Sequence, residues 1–350
     1  MAVLVPLDSP PSSLCLFSSP RLVDALHIIP VVRTLQHVWP NCRLTWATGK
    51  ENAALLDGIE GLEVIALDAS SVRAVRQLRS AVAGKVFDVL LNMRQGWMAN
   101  LLSVQIHALV RLGFDRQRSR RGQTLVCNGQ ISGDIRVHPV DMAFQFLEAL
   151  GIEERQLVWD LPVGPEVAFD LPEGRPVLLL APCVDHCQRA GRSWSAENYA
   201  SLCDFALQAY NMKAVVVGGG SAEEALMAQH IQRFSRAAVI NLCGKLTTTA
   251  LLQLIGQSSV VVGADSEALH LATAAGRPAV GLFAHRNPAC EGPYLSQDNV
   301  VDQYAEAVLQ SSGKTVDEVI WGYTVSDDEV IELIRLEDVI EKLSAVMDAE

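Results

Sequence analysis

Two series of short apolar runs, each run separated from the next by a longer stretch, constrain the fold of this chain more than any other feature. The first series is LCLF, RLTWAT, EVIALD and DVLLN, and helical stretches such as DALHIIPVVRTLQHVW and SSVRAVRQLRSAVAG lie between its members. The second is PVLLLAP, AVVVGGG, AVINLCG, VVVGAD and AVGLFA. Runs of this length read as buried strands, and alternation with helices makes each pair a βαβ unit. Repeated units of that kind build a doubly wound parallel sheet. At 350 residues the chain can bury two cores. The segment DLPVGPEVAFDLPEGRP, residues 160–176, is rich in Pro and Gly and has little periodicity, so it reads as the linker. The expectation is two α/β domains with a cleft between them, residues 1–162 and 163–325. Residues 326–350 would form a C-terminal amphipathic helix that packs back on the body.

Charge and composition exclude several functions. A formal net charge of −12 argues against nucleic acid as a partner, because that affinity rests on phosphate neutralisation by Lys and Arg. No run approaches the ~18 apolar residues of a membrane-spanning helix. The opening MAVLVPLDSPPSSLCLF lacks a basic n-region and a small-residue cleavage site, so a soluble, cytoplasmic protein is expected. Eight cysteines without CxxC pairs read as reduced, mostly buried thiols. CVDHC at 183–187 is a local cluster, but no second one completes the four ligands of structural zinc.

The stretch GADSEALHLATAAGRPAVGLF, residues 263–283, is one whole βαβ unit in which Asp265 and Ser266 stand at a helix start. A helix N-terminus offers unsatisfied N–H groups and the positive end of its dipole, which suit a diphosphate. Ser and Asp also cap helices everywhere, so a merely structural reading stays open. His270, one turn beyond Ser266, could donate to a phosphate or be a core histidine bonded to backbone. In GGGSAEE, residues 218–224, Ser221 and Glu224 fit a capping box. The segment lacks GxGxxG, which argues against a dinucleotide loop. RLGFDRQRSRR, residues 111–121, is either a solvated loop or a docking patch for an anionic acceptor or membrane surface.

Three ordered segments carry a resemblance. ADSEALHLATAAGRPAVGLFAHRNPACEGPY is similar to the D-[ST]-G-x-x-H-x-A-A-x-x-G-x-P-x-V-x-L-F and G-P-Y of glycosyltransferase family 9. SSPRLVDALHIIPVVRTLQHVWPNCRLTW resembles that family's opening R-x-S-x-x-G-D-x-x-x-x-x-P-x-x-x-x-L, and GRSWSAENYASL its K-x-W-P-x-E-x-[WY]-x-x-L. The best-known members are ADP-heptose:lipopolysaccharide heptosyltransferases. The resemblance implies the GT-B fold, two Rossmann-like domains facing a central cleft. It also implies inverting transfer of a sugar, heptose among the candidates, from a nucleoside diphosphate donor to a lipopolysaccharide or other cell-surface glycan. Such an enzyme would act in peripheral contact with the inner membrane. Asp24 falls on the family's catalytic base. Arg192, Glu223, Asp265, Ser266 and His270 fall on its donor site, with Glu223 at the ribose contact.

This sequence departs from the pattern at Val23, Glu267 and Ala99. Ala99 stands where many members carry a basic acceptor contact, so Arg94, Arg118, Arg120 and Arg121 are the acceptor-binding candidates. The chain has no DxD triplet to hold a diphosphate through a divalent ion, so no metal and no cofactor are expected. A catalytically silent relative that binds a nucleotide sugar or a partner protein is the alternative.

Overall fold

The structure, a computed structural model, describes residues 5–68, 72–119, 122–162, 167–183 and 193–349. The chain divides into two compact units, Met1–Pro162 and Val163–Glu350.

The first unit runs β1 (Ser13–Phe17), α1 (Leu22–Val38), β2 (Arg43–Gly49), α2 (Lys50–Leu56), β3 (Leu62–Leu67), α3 (Val72–Ala81), β4 (Phe87–Asn92), α4 (Trp97–Ser103), β5 (Ala108–Gly113), β6 (Gly129–Gln130) and α5 (Pro139–Leu150). Its strands form one parallel sheet in the order β3-β2-β1-β4-β5-β6. Every residue of β1 is buried, as a central strand covered by helices on both faces requires. The strand order reverses direction between β1 and β4, and the crevice beyond the carboxyl ends of such strands is where ligands bind in open α/β sheets.

The second unit runs β7 (Val177–Ala181), α6 (Ala196–Tyr210), β8 (Lys213–Val216), α7 (Ala222–Phe234), β9 (Ile240–Asn241), α8 (Thr248–Gly256), β10 (Val260–Ala264), α9 (Glu267–Ala274), β11 (Ala279–Phe283), α10 (Pro288–Glu291), β12 (Val301–Asp302), α11 (Tyr304–Ser312) and α12 (Leu336–Asp348). Its parallel sheet has the order β12-β11-β10-β7-β8-β9, the same winding as the first, with the switch between β7 and β10. The two strands approach so closely there that a Cβ on Gly263 would lie 2.4 Å from the Ala181 carbonyl oxygen, so only glycine fits.

Helix α1 contains Pro30, which has no N–H to give to the carbonyl of Leu26 one turn earlier. The buried indole of Trp159 supplies the missing donor, with Nε1 at 2.8 Å from the Leu26 oxygen. The segment before the linker is thereby fastened to the first helix of its own unit. Among the described residues of 160–176 there is no helix or strand.

The C-terminal expectation needs correction. A 3-10 segment, Asp328–Leu333, precedes α12, and Ile334 and Arg335 interrupt the helix. Ile334 is buried, and its carbonyl accepts a hydrogen bond from Trp194 Nε1 at 2.9 Å, which takes it out of any helical ladder. Beyond the break Arg335 pairs with Asp338 at 2.6 Å. Helix α12 then buries Val339, Leu343 and Val346 in the core of the second unit.

Candidate active site

In the first unit, the strands on either side of the switch point each deliver a charged group. The turn after β1 leads into α1, whose first turn carries Asp24. Two residues beyond the end of β4 lies Arg94. Both line one cavity of about 510 Å³, together with Arg21, His27, Met93 and Gln95. Arg94 is only 9% exposed, its guanidinium lies 5.6 Å from the centre of the Phe17 ring, and burial lowers its pKa. Its backbone is fixed by the buried Gln123, whose Nε2 donates to the carbonyls of Asn92 and Arg94 at 2.9 and 3.1 Å. A carboxylate and two guanidiniums in one cavity can take up an anionic, hydroxyl-bearing ligand and remove a proton from it.

His27, another wall of this cavity, escaped the sequence reading. It lies one turn beyond Asp24, and its ring meets His138 edge to face at 5.1 Å. His138 is itself the N-cap of α5, its Nδ1 accepting from the Val140 N–H at 3.2 Å. The i, i+3 spacing from Asp24 was the available signal for His27. Nothing local marks His138, which is 111 residues further along the chain.

The structure places two members of the arginine run. Arg118 donates from Nε to Asp115 at 2.6 Å and from a terminal nitrogen to the side chain of Gln145, and its side chain is almost wholly covered. Arg111 turns inward to the carbonyls of Val126, Ile106 and Ser103. Both cations are therefore engaged inside the first unit. Arg116 is exposed. Arg120 and Arg121 lie outside the described residues.

In the second unit, β10 ends at Ala264 and Ser266 is the N-cap of α9. The expected capping bond is missing. The Ser266 side chain makes no bond to the helix, and its Oγ is buried, in a residue 5% exposed, with no hydrogen-bond partner among the described residues. Asp265 stands one residue before the N-cap, and Arg286 Nε lies 3.3 Å from its carboxylate. Arg286 in turn stands 3.5 Å from Glu291, a pairing that the sequence reading did not contain. His270 is buried on α9, and Glu267 occupies the first helical position, half-buried.

The glycine loop after β8 is closed by its own helix. Glu224 accepts from the N–H groups of Gly219 and Ser221 at 2.7 and 2.8 Å, completing a capping box with Ser221. Burial acts to raise the Glu224 pKa, but the backbone donors outweigh it and bring it below its ordinary value. Those donors are spent, so this loop is no phosphate cradle. Gly220 has φ +88° and faces Gly244, which leaves no room for a Cβ. Glu223 is exposed in the first turn of α7. Arg192 lies outside the described residues.

The family description "Glycosyltransferase family 9 (heptosyltransferase)" matches residues 75–318. The chain is 30% identical over 335 residues to the lipopolysaccharide core heptosyltransferase OpsX of Haemophilus influenzae, covering 94% of this chain and 95% of that protein. Two solved structures share its fold. A family 9 glycosyltransferase from Veillonella parvula matches with a TM-score of 0.73 at 17% identity over 97% of this chain and 98% of the other. The E. coli heptosyltransferase WaaC with ADP matches with a TM-score of 0.70 at 16% identity over 95% and 99%. With two parallel six-stranded sheets wound alike, these likenesses give the GT-B fold. The chain belongs to glycosyltransferase family 9, the heptosyltransferase family, and is a glycosyltransferase.

Proposed function

We propose that the chain transfers a heptose from a nucleoside diphosphate donor to the saccharide core of a lipopolysaccharide precursor, with inversion and without a metal on the diphosphate. The observation that carries this reading is the placement of Asp24 and Arg94 in one cavity at the switch point of the first unit. The lipopolysaccharide core heptosyltransferase OpsX, similar along nearly its whole length, supports the choice of sugar and acceptor.

In this reading the first unit takes the acceptor. Arg94 and Arg21 attract its negative charge, and Asp24 accepts the proton of the attacking hydroxyl. That oxygen bonds to the anomeric carbon as the carbon–phosphate oxygen bond breaks, and the electron pair leaves on the diphosphate. A single displacement inverts the sugar. The second unit takes the donor: the N–H groups at the start of α9 and the Ser266 hydroxyl donate to diphosphate oxygens as charge develops there. Arg192 and His270 are proposed to reach the same phosphates, and Glu223 the ribose hydroxyls.

The test is transfer from ADP-heptose, with UDP- and GDP-sugars in parallel, to a heptose-deficient core acceptor, with the product's anomeric configuration read by NMR. Inverted heptose in the product, formed undiminished in EDTA, supports the proposal. Retained configuration, or no transfer from any donor, refutes it.

A further inference from the structure

Among the described residues, one apolar side of helix α4 is exposed. Trp97, Leu101 and Val104, spaced i, i+4, i+7 along α4 and its C-cap, are 58%, 43% and 43% exposed. The opposite side of α4 supplies Ala99 and Leu102 to the core under the sheet face.

Helix α3 lies beside α4 over the same core, to which it gives Ala74 and Leu78, and it turns Arg73, Arg76 and Arg79 outward. Of the six Lys and Arg in residues 72–114, the three on α3 are exposed, whereas Lys85 pairs with Glu63, Arg94 is buried at the cavity and Arg111 turns inward; the chain's formal net charge is −12. Asp88, at the amino end of β4, accepts from Ser12 and Ser13. The outer surface of these two helices is thus apolar and cationic in an otherwise acidic protein.

We infer that this surface docks on an anionic lipid bilayer, with Trp97, Leu101 and Val104 entering the headgroup and acyl boundary and the α3 arginines meeting lipid phosphates. A tryptophan at the edge of an apolar face suits that boundary, since its ring is apolar and its N–H stays wet. A second copy of the chain fits less well. Seven helical residues span only about 10 Å, too short a face to supply the roughly 800 Å² per partner of a stable interface. The chain also gives this surface a purpose. Met93, Arg94 and Gln95, walls of the Asp24 cavity, run directly into α4 at Trp97, so the apolar face begins at the lip of the proposed acceptor pocket. The inference rests on the proposed function for the identity of that acceptor, whose lipid end would lie in the bilayer while its saccharide reaches Asp24.

The test is cosedimentation of the full chain with vesicles of phosphatidylcholine alone or mixed with phosphatidylglycerol, alongside transfer to a delipidated acceptor oligosaccharide. The expected result is binding to the mixed vesicles only, falling with added salt. Each arginine near an anionic surface is worth about fivefold, so Arg73→Gln/Arg76→Gln/Arg79→Gln should bind about 10²-fold more weakly. Quenching of tryptophan emission by brominated acyl chains should disappear in Trp97→Phe. Transfer to the oligosaccharide should be unchanged in the arginine variant. Vesicle binding that survives both sets of substitutions overturns the inference, as does failure of the unmodified chain to bind, including the case where light scattering shows a dimer that Leu101→Ser dissolves. Arginine-dependent vesicle binding without transfer to any acceptor would support the docking surface while removing the functional reading.

Discussion

Replacing Ser266 by alanine should change the stability of the protein and its affinity for nucleotide in opposite directions. An N-cap serine ordinarily stabilises its helix, and its loss costs about 0.5–2 kcal/mol, because the hydroxyl accepts from the first-turn backbone. In α9 that bond is not made. The Oγ is instead buried without a partner among the described residues, so the ligand-free protein bears the desolvation of a hydroxyl, about 1–3 kcal/mol. Alanine removes that cost. With about 1 kcal/mol recovered, the Tm of the empty protein should rise by about 2–4 °C. With a nucleoside diphosphate bound, the hydroxyl would make a charge-assisted hydrogen bond worth about 1.5–3 kcal/mol, so the substitution should weaken binding about 10- to 150-fold. Differential scanning calorimetry of the empty protein and calorimetric titration with ADP read the two effects separately. A Tm that falls by the amount of a lost cap would mean that Ser266 caps α9 after all. Unchanged affinity for ADP would mean that its hydroxyl never meets the phosphates.

Further substitutions follow from the structure. Trp159→Phe leaves the Leu26 carbonyl in α1 without a donor, since Pro30 cannot supply one, and should lower the stability of the first unit by about 1–3 kcal/mol in urea titrations. Pro30→Ala in the same background should restore part of that loss, because the helix regains its own N–H. Glu224 has a folded pKa below its ordinary value of 4.5, so its capping box contributes fully above that pH and is lost as the pH falls through the lower folded value. The urea midpoints of wild type and Glu224→Gln should therefore differ by a constant amount near neutral pH and converge in acid, and a constant gap throughout would contradict the assignment. Arg118→Ala breaks the contacts with Asp115 and Gln145 and should destabilise the first unit while leaving acceptor KM unchanged; a raised KM with normal stability would return Arg118 to the acceptor site.

Much of the fold is legible from local patterning, because strands buried on both faces must be continuous apolar runs. VLLLA, VVVGA and AVGLF are buried along their whole length and are readable as strands for that reason. The capping box at Ser221 and Glu224 is equally legible, since both partners lie within one turn. What local sequence does not encode is the tertiary partner. The break at Ile334 depends on an indole 140 residues away, and the inward turn of Arg118 depends on Gln145. A pattern of charges cannot distinguish an arginine that faces water from one that ties a loop to a helix. The site divides in the same way. Asp24 and the start of α9 are marked by motif position, whereas Arg286 beside Asp265 and His138 against His27 are brought in by folding. Ser266 is the informative failure, because its type and position both promise a cap and the structure withholds it.

Single-turnover kinetics of Asp24→Asn decide whether Asp24 removes the proton of the acceptor hydroxyl. The substitution keeps the size of the side chain and its place in the first turn of α1 but removes its ability to take a proton. At saturating ADP-heptose and acceptor, the rate of transfer should fall about 10²- to 10⁴-fold, the range lost with a general base. The donor dissociation constant should stay within about twofold, since binding does not use the base. A transfer rate in Asp24→Asn equal to that of the wild type would contradict the account.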